Sequence, residues 1–228
     1  MDKVIVHSHQ AVKELKNMYD YPLEKKAHII FHGNYNGCYP KPSQSKEELR
    51  KRFLIPKTCT SVLYFGSIKP YKGIEKLIEA FSDISDSSNE LELLIVGGCY
   101  DTSYREKLIN ISNNNKKIKF GYVENQDLID YLCALDLVAL PFSDTLTSGS
   151  TILAMTCGRA LILPETAKVF GCVPHEGALY FNEPEELIYI LKNIQDYNLR
   201  QMGEVNAIHA ARMSWDRVGK STLDVYSS

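Results

Sequence analysis

The stretch Leu137-Val-Ala-Leu-Pro-Phe-Ser-Asp-Thr-Leu-Thr-Ser-Gly-Ser-Thr-Ile-Leu-Ala-Met-Thr-Cys-Gly158 sets the frame for the whole chain. Its apolar start predicts a buried strand, the polar residues around Asp144 predict a turn, and Thr147-Ser148-Gly149-Ser150 opens a helix. A helix start leaves backbone N–H groups unpaired and points the positive end of the helix dipole outward, which suits an anion. Gly149 lets a ligand approach the main chain, and the flanking hydroxyls add donors. Ser and Gly serve equally well as an ordinary N-cap where nothing binds, so this segment alone leaves both readings open.

A second segment has the same form. In Ser61-Val-Leu-Tyr-Phe-Gly-Ser-Ile-Lys-Pro-Tyr-Lys-Gly-Ile-Glu-Lys-Leu-Ile-Glu-Ala-Phe81 an apolar, β-branched and aromatic run ends at Gly66. A short loop carrying Ser67, Lys69 and Lys72 follows, and after Gly73 a helix places apolar residues at 74, 77, 78 and 81. Strand, glycine turn, lysine and helix form a phosphate-binding arrangement. The glycine spacing and Lys-Ser/Thr pair of a Walker loop are missing, as is the three-glycine dinucleotide fingerprint. Loop lysines are often merely solvated, so neither lysine is decisive singly.

Apolar runs near 3–7, 28–32, 61–66, 92–97, 117–120, 136–141, 160–164 and 178–181 alternate with amphipathic helical patterns, which predicts an α/β fold with a parallel sheet. Glycine or proline ends many of these runs, where a doubly wound sheet places its ligand crevice. The patch Ser112-Asn-Asn-Asn-Lys-Lys117 reads as a helix-to-strand turn.

The ordered set of motifs resembles the C-terminal, donor-binding half of a GT-B fold glycosyltransferase, most closely glycosyltransferase family 4, the glycosyl transferases group 1. Gly66, Lys72 and Gly73 match that family's glycine turn and Lys-Gly pair, while Ser67 takes the place of its arginine. The likeness continues through Leu94-Ile-Val-Gly-Gly98, Phe120-Gly-Tyr-Val-Glu124, Tyr131 to Pro141, Ala154-Met-Thr-Cys-Gly158 and Met202-Gly to Ser214-Trp-Asp216. It implies a Rossmann-like parallel sheet flanked by helices and transfer of a sugar from a nucleotide-diphosphate sugar. Lys72 and the glycine-turn amides at Gly66, Ser67 and Gly73, with Lys69, would hold the diphosphate. The main chain at Tyr122 and Val123 would meet a uracil or guanine edge, and Glu124 the ribose. From the residues themselves, Tyr122 reads equally as a surface aromatic, and Glu124 as an acid favouring the dipole of a helix that begins near Asn125. The family's two glutamates, separated by seven intervening residues, would fall at Thr145 and Leu153, so both are lost. This branch would rely on Thr147, Ser148, Gly149 and Ser150, with Asp144 either accepting sugar hydroxyls or making an Asx turn.

The same resemblance divides the chain into residues 1–33, the remnant of an N-terminal acceptor domain; 34–58, a linker and lead-in; 59–214, the nucleotide-sugar domain; and 215–228, a helix returning to the N-terminal half. It implies no cofactor and no metal, and a saccharide or lipid-linked glycan acceptor held by the missing N-terminal domain. It also implies a cytoplasmic location, peripheral to the membrane's inner face in the full-length protein. A non-catalytic nucleotide-sugar module, or half of a split enzyme, is the alternative that the missing glutamates raise.

Composition narrows the classes. A net charge of −2 and a pI near 6.3 give no field to attract a polyanion, which argues against a nucleic-acid partner. No apolar run reaches the roughly 18–20 residues of a membrane span, and the start lacks a signal-peptide layout. The six cysteines lack Cys-x-x-Cys pairing and read as reduced, buried packing residues; no Cys/His cluster has metal-ligand spacing. Asp136 is expected to fix the turn into the next strand, Trp215 to anchor packing, and Arg159 to complement a helix C-terminus.

Overall fold

The computed structural model describes residues 3–19, 22–84, 91–113, 115–124, 127–143 and 147–227. Among them the order is β1 (Val4–Val6), α1 (His9–Met18), β2 (Ala27–Ile29), α2 (Lys46–Arg52), β3 (Thr60–Phe65), α3 (Ile74–Ile84), β4 (Leu91–Val96) and α4 (Thr102–Ile111). Then follow β5 (Ile118–Gly121), α5 (Leu128–Ala134), β6 (Leu137–Ala139), α6 (Gly149–Thr156), β7 (Ala160–Pro164), β8 (Ala178–Phe181), α7 (Pro184–Lys192), α8 (Leu199–Ala211) and α9 (Trp215–Ser227).

Strands β3 to β8 form one parallel sheet in the order β5-β4-β3-β6-β7-β8. The chain runs outward from β3 through β4 to β5, returns to the centre, and runs outward the other way from β6. The order therefore reverses between β3 and β6, and a doubly wound sheet opens its ligand crevice outside the carboxyl ends of such a pair. The two segments singled out in the sequence follow these two strands.

Burial on both faces explains why the strands read as continuous apolar runs. Val62, Leu63, Leu137, Val138, Leu161 and Ile162 are fully buried. Helix α3 packs with α4 and α7, and α6 with α8. Helix α6 ends in a Schellman motif: Gly158 N–H donates to Met155 O at 2.9 Å and Arg159 N–H to Ala154 O at 3.0 Å. The Arg159 side chain caps further carbonyls, donating to Cys157 O at 3.1 Å and Leu135 O at 3.0 Å, so it serves the chain turn as expected.

Asp136 does more than fix a turn. Its carboxylate accepts from Lys46 at 2.6 Å, Arg50 at 2.9 Å, and both the N–H and Oγ of Ser61 at 2.9 Å. Burial works to raise its pKa, but the Lys46 hydrogen bond and charge with the Ser61 donors outweigh it and hold the carboxyl below its usual value. Arg50 also donates to the carbonyls of Cys59 and Pro56, so α2 is pinned to the starts of β3 and β6.

Strands β1 and β2 form a separate parallel pair. Trp215, at the start of α9, donates from Nε1 to Asn34 O at 2.7 Å and lays its ring where a side chain at Gly33 would stand. Lys3 Nζ donates to Val225 O at 2.9 Å, fastening the other end of α9. Trp215 is thus a packing anchor between residues 32–34 and α9.

One expectation needs correction. The cysteines are all free, but only Cys59 and Cys172 are buried; Cys38 is exposed, because it closes a polar linker turn with its N–H on Tyr35 O. Helix α5 is described from Leu128, and Asn125, near which the sequence predicts its start, lies outside the described residues. Asp130, not Glu124, is the acid in its first turn.

Candidate functional site

The site grows from the end of β3. Gly66 has φ +122, a conformation that favours glycine, and its N–H donates to Val96 O while Ile68 N–H donates to Gly98 O. The Tyr64 hydroxyl donates to Ser67 O at 2.9 Å, and burial raises its pKa, so it stays a donor. The turn is therefore held from below by a buried side chain and from the side by the end of β4. A Cβ on Gly97 would stand 1.8 Å from Gly66 O, so the two glycine-ended strands meet by close backbone approach.

Lys72 ends a 3-10 turn, Pro70–Lys72, with Gly73 at φ +67 behind it. A Cβ on Gly73 would lie 2.2 Å from Pro141 O, and Ser143 donates from both N–H and Oγ to Tyr71 O. The lysine turn is thus seated on the loop leaving β6. Lys72 Nζ lies 5.1 Å from the centroid of the Tyr71 ring. Among the described residues, no carboxylate pairs with Lys72 or with the exposed Lys69. Both cations remain available for an anionic ligand.

The second half of the site is the start of α6. Ser148 is buried and caps it, accepting from Thr151 N–H at 3.2 Å. A Cβ on Gly66 would be 3.3 Å from Ser150 Oγ. The two motifs, more than eighty residues apart in the chain, therefore converge on one spot at the crevice. Gly149 and Thr147 lie beside it, half-buried.

Beyond Gly66 the crevice opens into a cleft of about 320 Å³ lined by Ser67, Gly97, Gly98, Tyr100, Tyr122 and Val123. The Tyr122 ring is 75 % exposed at its mouth. Glu124 lies exposed just past the end of β5. Asp144 lies outside the described residues, as does position 145, so neither is placed. Leu153, at the second lost glutamate position, is 4 % exposed and belongs to the hydrophobic core.

One residue escapes sequence reasoning altogether. Tyr35, in the stretch read as linker, brings its hydroxyl to 2.8 Å from where a Cβ on Gly149 would stand. Its N–H donates to Thr156 Oγ1 at 3.2 Å, and its ring lies 5.4 Å from His32, which in turn meets Trp215 at 5.2 Å. Burial, then nearby Tyr39 and Cys38, raises its pKa and keeps the hydroxyl protonated. No local pattern marks Tyr35; only the fold brings it to α6.

The two motif-bearing turns carry two lysines without carboxylate partners among the described residues and a helix N-terminus, groups whose charge and donors suit an anion, and a cleft adjoins the Gly66 turn. Among the described residues, no group of three His, Cys, Asp or Glu side chains is placed to hold a metal ion. No helix is long and apolar enough to cross a membrane, again among the described residues.

Comparison with known proteins accords with this geometry. Residues 59–195 match the family described as glycosyl transferases group 1. A GDP-mannose:glycolipid 4-beta-D-mannosyltransferase of Xanthomonas campestris pv. campestris is 27% identical over 201 residues, covering 86% of this chain and 54% of that protein. Sucrose-phosphate synthase from Thermosynechococcus elongatus has the same fold, with a TM-score of 0.82 at 23% identity, covering 99% of this chain and 58% of that one. HepE of Anabaena, solved with UDP and glucose, gives a TM-score of 0.82 at 19% identity, over 100% of this chain and 63% of its own. The chain spans about half the length of the curated relatives it matches. With the family matched across the six-stranded sheet and both motif segments, the chain belongs to the glycosyl transferases group 1.

Proposed function

We propose that this chain is the donor-binding part of a glycosyltransferase that moves a sugar from a nucleotide-diphosphate sugar to a saccharide or lipid-linked glycan acceptor, in polysaccharide or glycoconjugate assembly. The observation that carries this is the meeting of the Gly66 turn with Ser150 at the start of α6, with the Lys72 turn seated on the loop leaving β6. In this reading Lys72, with Lys69, meets the charge that develops on the departing diphosphate, and the N–H groups at the start of α6 share it. Preorganised cationic and backbone donors then do what other transferases assign to a divalent ion.

The nucleobase lies in the cleft against Tyr122 and Val123, with Glu124 toward the ribose. Thr147, Ser148, Gly149 and Ser150 face the β-phosphate and the sugar. With leucine at position 153, buried in the core, a mechanism that needs a carboxylate there is disfavoured. The acceptor is held by a further domain of the kind that the longer relatives have room for, and a protein acting on lipid-linked acceptors works at the membrane's cytoplasmic face. The Xanthomonas relative's name, a mannosyltransferase acting on glycolipid, supports that acceptor class.

The test is transfer of radiolabelled sugar from UDP- and GDP-sugars to saccharide and lipid-linked acceptors, by this chain joined to an N-terminal acceptor domain, with Lys72→Ala in parallel. Transfer that depends on Lys72 supports the reading. Donor binding without transfer under any condition would favour a non-catalytic nucleotide-sugar module.

A further inference from the structure

A second cavity, of about 420 Å³, lies away from the crevice, between the end of β2, the loop at Gly171 and Cys172, and the α8–α9 corner. Ile29, Ile30, Phe31, Met213 and Val218 give it apolar lining. His209, Arg212, Arg217, Ser214 and Ser221 line it as well. Among the described residues no carboxylate lines the cavity, in a chain whose net charge is −2.

Helix electrostatics explain only part of this cluster. His209 lies in the last turn of α8 and Arg212 is its C-cap residue, where a positive charge complements the dipole. Arg217 lies in the first turn of α9, where a positive charge opposes the dipole, so the helix gains nothing from it there. Among the described residues neither guanidinium has an ion-pair partner. Burial, and then the charge of Arg212, lowers the His209 pKa.

We propose that this cavity binds a phosphate ester carried on an apolar group, with Arg212 and Arg217 on the phosphate, His209 and the two serines completing its hydrogen bonds, and the apolar wall covering the carbon chain. Guanidinium forks match phosphate oxygens in pairs, and a phosphomonoester brings about −1.5 to −2 of charge near neutral pH. The volume lies within the range of about 300–1,000 Å³ for small-molecule sites. The site is separate from the donor crevice, and the inference does not depend on the donor reading.

The test is an NMR titration of the His209 side chain in the full chain, with hexyl phosphate, inorganic phosphate and hexanol as probes. Hexyl phosphate is expected to bind and to raise the pH at which His209 titrates. Its affinity should exceed that of inorganic phosphate by about fourfold for each methylene buried, and hexanol should give no shift of His209. Arg212→Gln with Arg217→Gln should weaken hexyl phosphate at least about tenfold at low salt, whereas Lys72→Ala should leave it unchanged. Both arginines are exposed, so the double variant should keep the wild-type Tm; if it does not, Arg217→Gln alone carries the test. The proposal is overturned if His209 does not respond, if inorganic phosphate binds as tightly as hexyl phosphate, if the arginine variants bind normally, or if Lys72→Ala removes the response.

Discussion

Replacing Gly73 by alanine tests how firmly the Lys72 turn is seated. The added Cβ would stand 2.2 Å from Pro141 O and 3.1 Å from its carbonyl carbon, both backbone atoms that cannot swing aside. A carbon needs about 3.3 Å from such an oxygen, so the turn must shift by about 1 Å. Gly73 also has φ +67, a left-handed conformation that costs alanine about 1–2 kcal/mol. Overpacking adds about 1–3 kcal/mol, for a total of about 2–5 kcal/mol. Gly37 provides the control, since its φ is +77 but nothing lies within 4 Å of its Cβ position. Gly37→Ala therefore carries the backbone cost alone, about 1–2 kcal/mol. In urea unfolding Gly73→Ala should lose clearly more stability than Gly37→Ala. In nucleotide-diphosphate titrations it should also lose about tenfold or more in affinity, because moving Lys72 forfeits a charge-assisted bond worth about 1.5–3 kcal/mol. Equal stability losses, with wild-type diphosphate affinity in both variants, would refute the seating of the turn on Pro141.

Further outcomes follow from other contacts. Tyr35→Phe keeps the ring and removes only the hydroxyl over Gly149, so folding should be unchanged while donor affinity drops about fivefold, the worth of one hydrogen bond; an unchanged affinity would take Tyr35 out of the site. Asp136→Asn deprives Arg50, whose side chain is 9% exposed, of its carboxylate and should cost about 3 kcal/mol in chemical denaturation. Because the Asp136 pKa is lower folded than unfolded, its contribution is present above the unfolded value and is lost as pH falls through the folded one. The wild type should therefore lose stability on acidification below about pH 4 more steeply than Asp136→Asn, and parallel pH profiles would contradict this linkage.

Among the described residues, the six strands of the main sheet were legible in the sequence because a parallel sheet covered on both faces demands unbroken apolar runs, and glycine or proline marks many of their ends; β1 and β2, a separate pair, also fall on apolar runs. The two motif segments were legible for the same local reason, as each lies within a single strand–turn–helix unit. What the sequence hid was long-range. Tyr35 reaches the start of α6 only through folding, and its identity as one aromatic in a linker gives no hint of that contact. Asp136 reads as a turn residue because its neighbours are local; its partners Lys46 and Arg50 come from a helix 86 to 90 positions earlier. The His209, Arg212 and Arg217 group was invisible for a related reason: the apolar wall that turns it into a cavity arrives from β2, at the other end of the chain.

The most direct test of the central claim is a thermal-shift and calorimetric titration of this chain with UDP, GDP, CDP and their sugars, beside Lys72→Ala. A diphosphate site built on the Gly66–Ser150 contact and using Lys72 predicts selective stabilisation by one nucleoside diphosphate, about 2.7 kcal/mol at a hundredfold excess over Kd, abolished in the variant. No stabilisation by any of them, or an equal response from Lys72→Ala, would contradict a diphosphate site at this crevice.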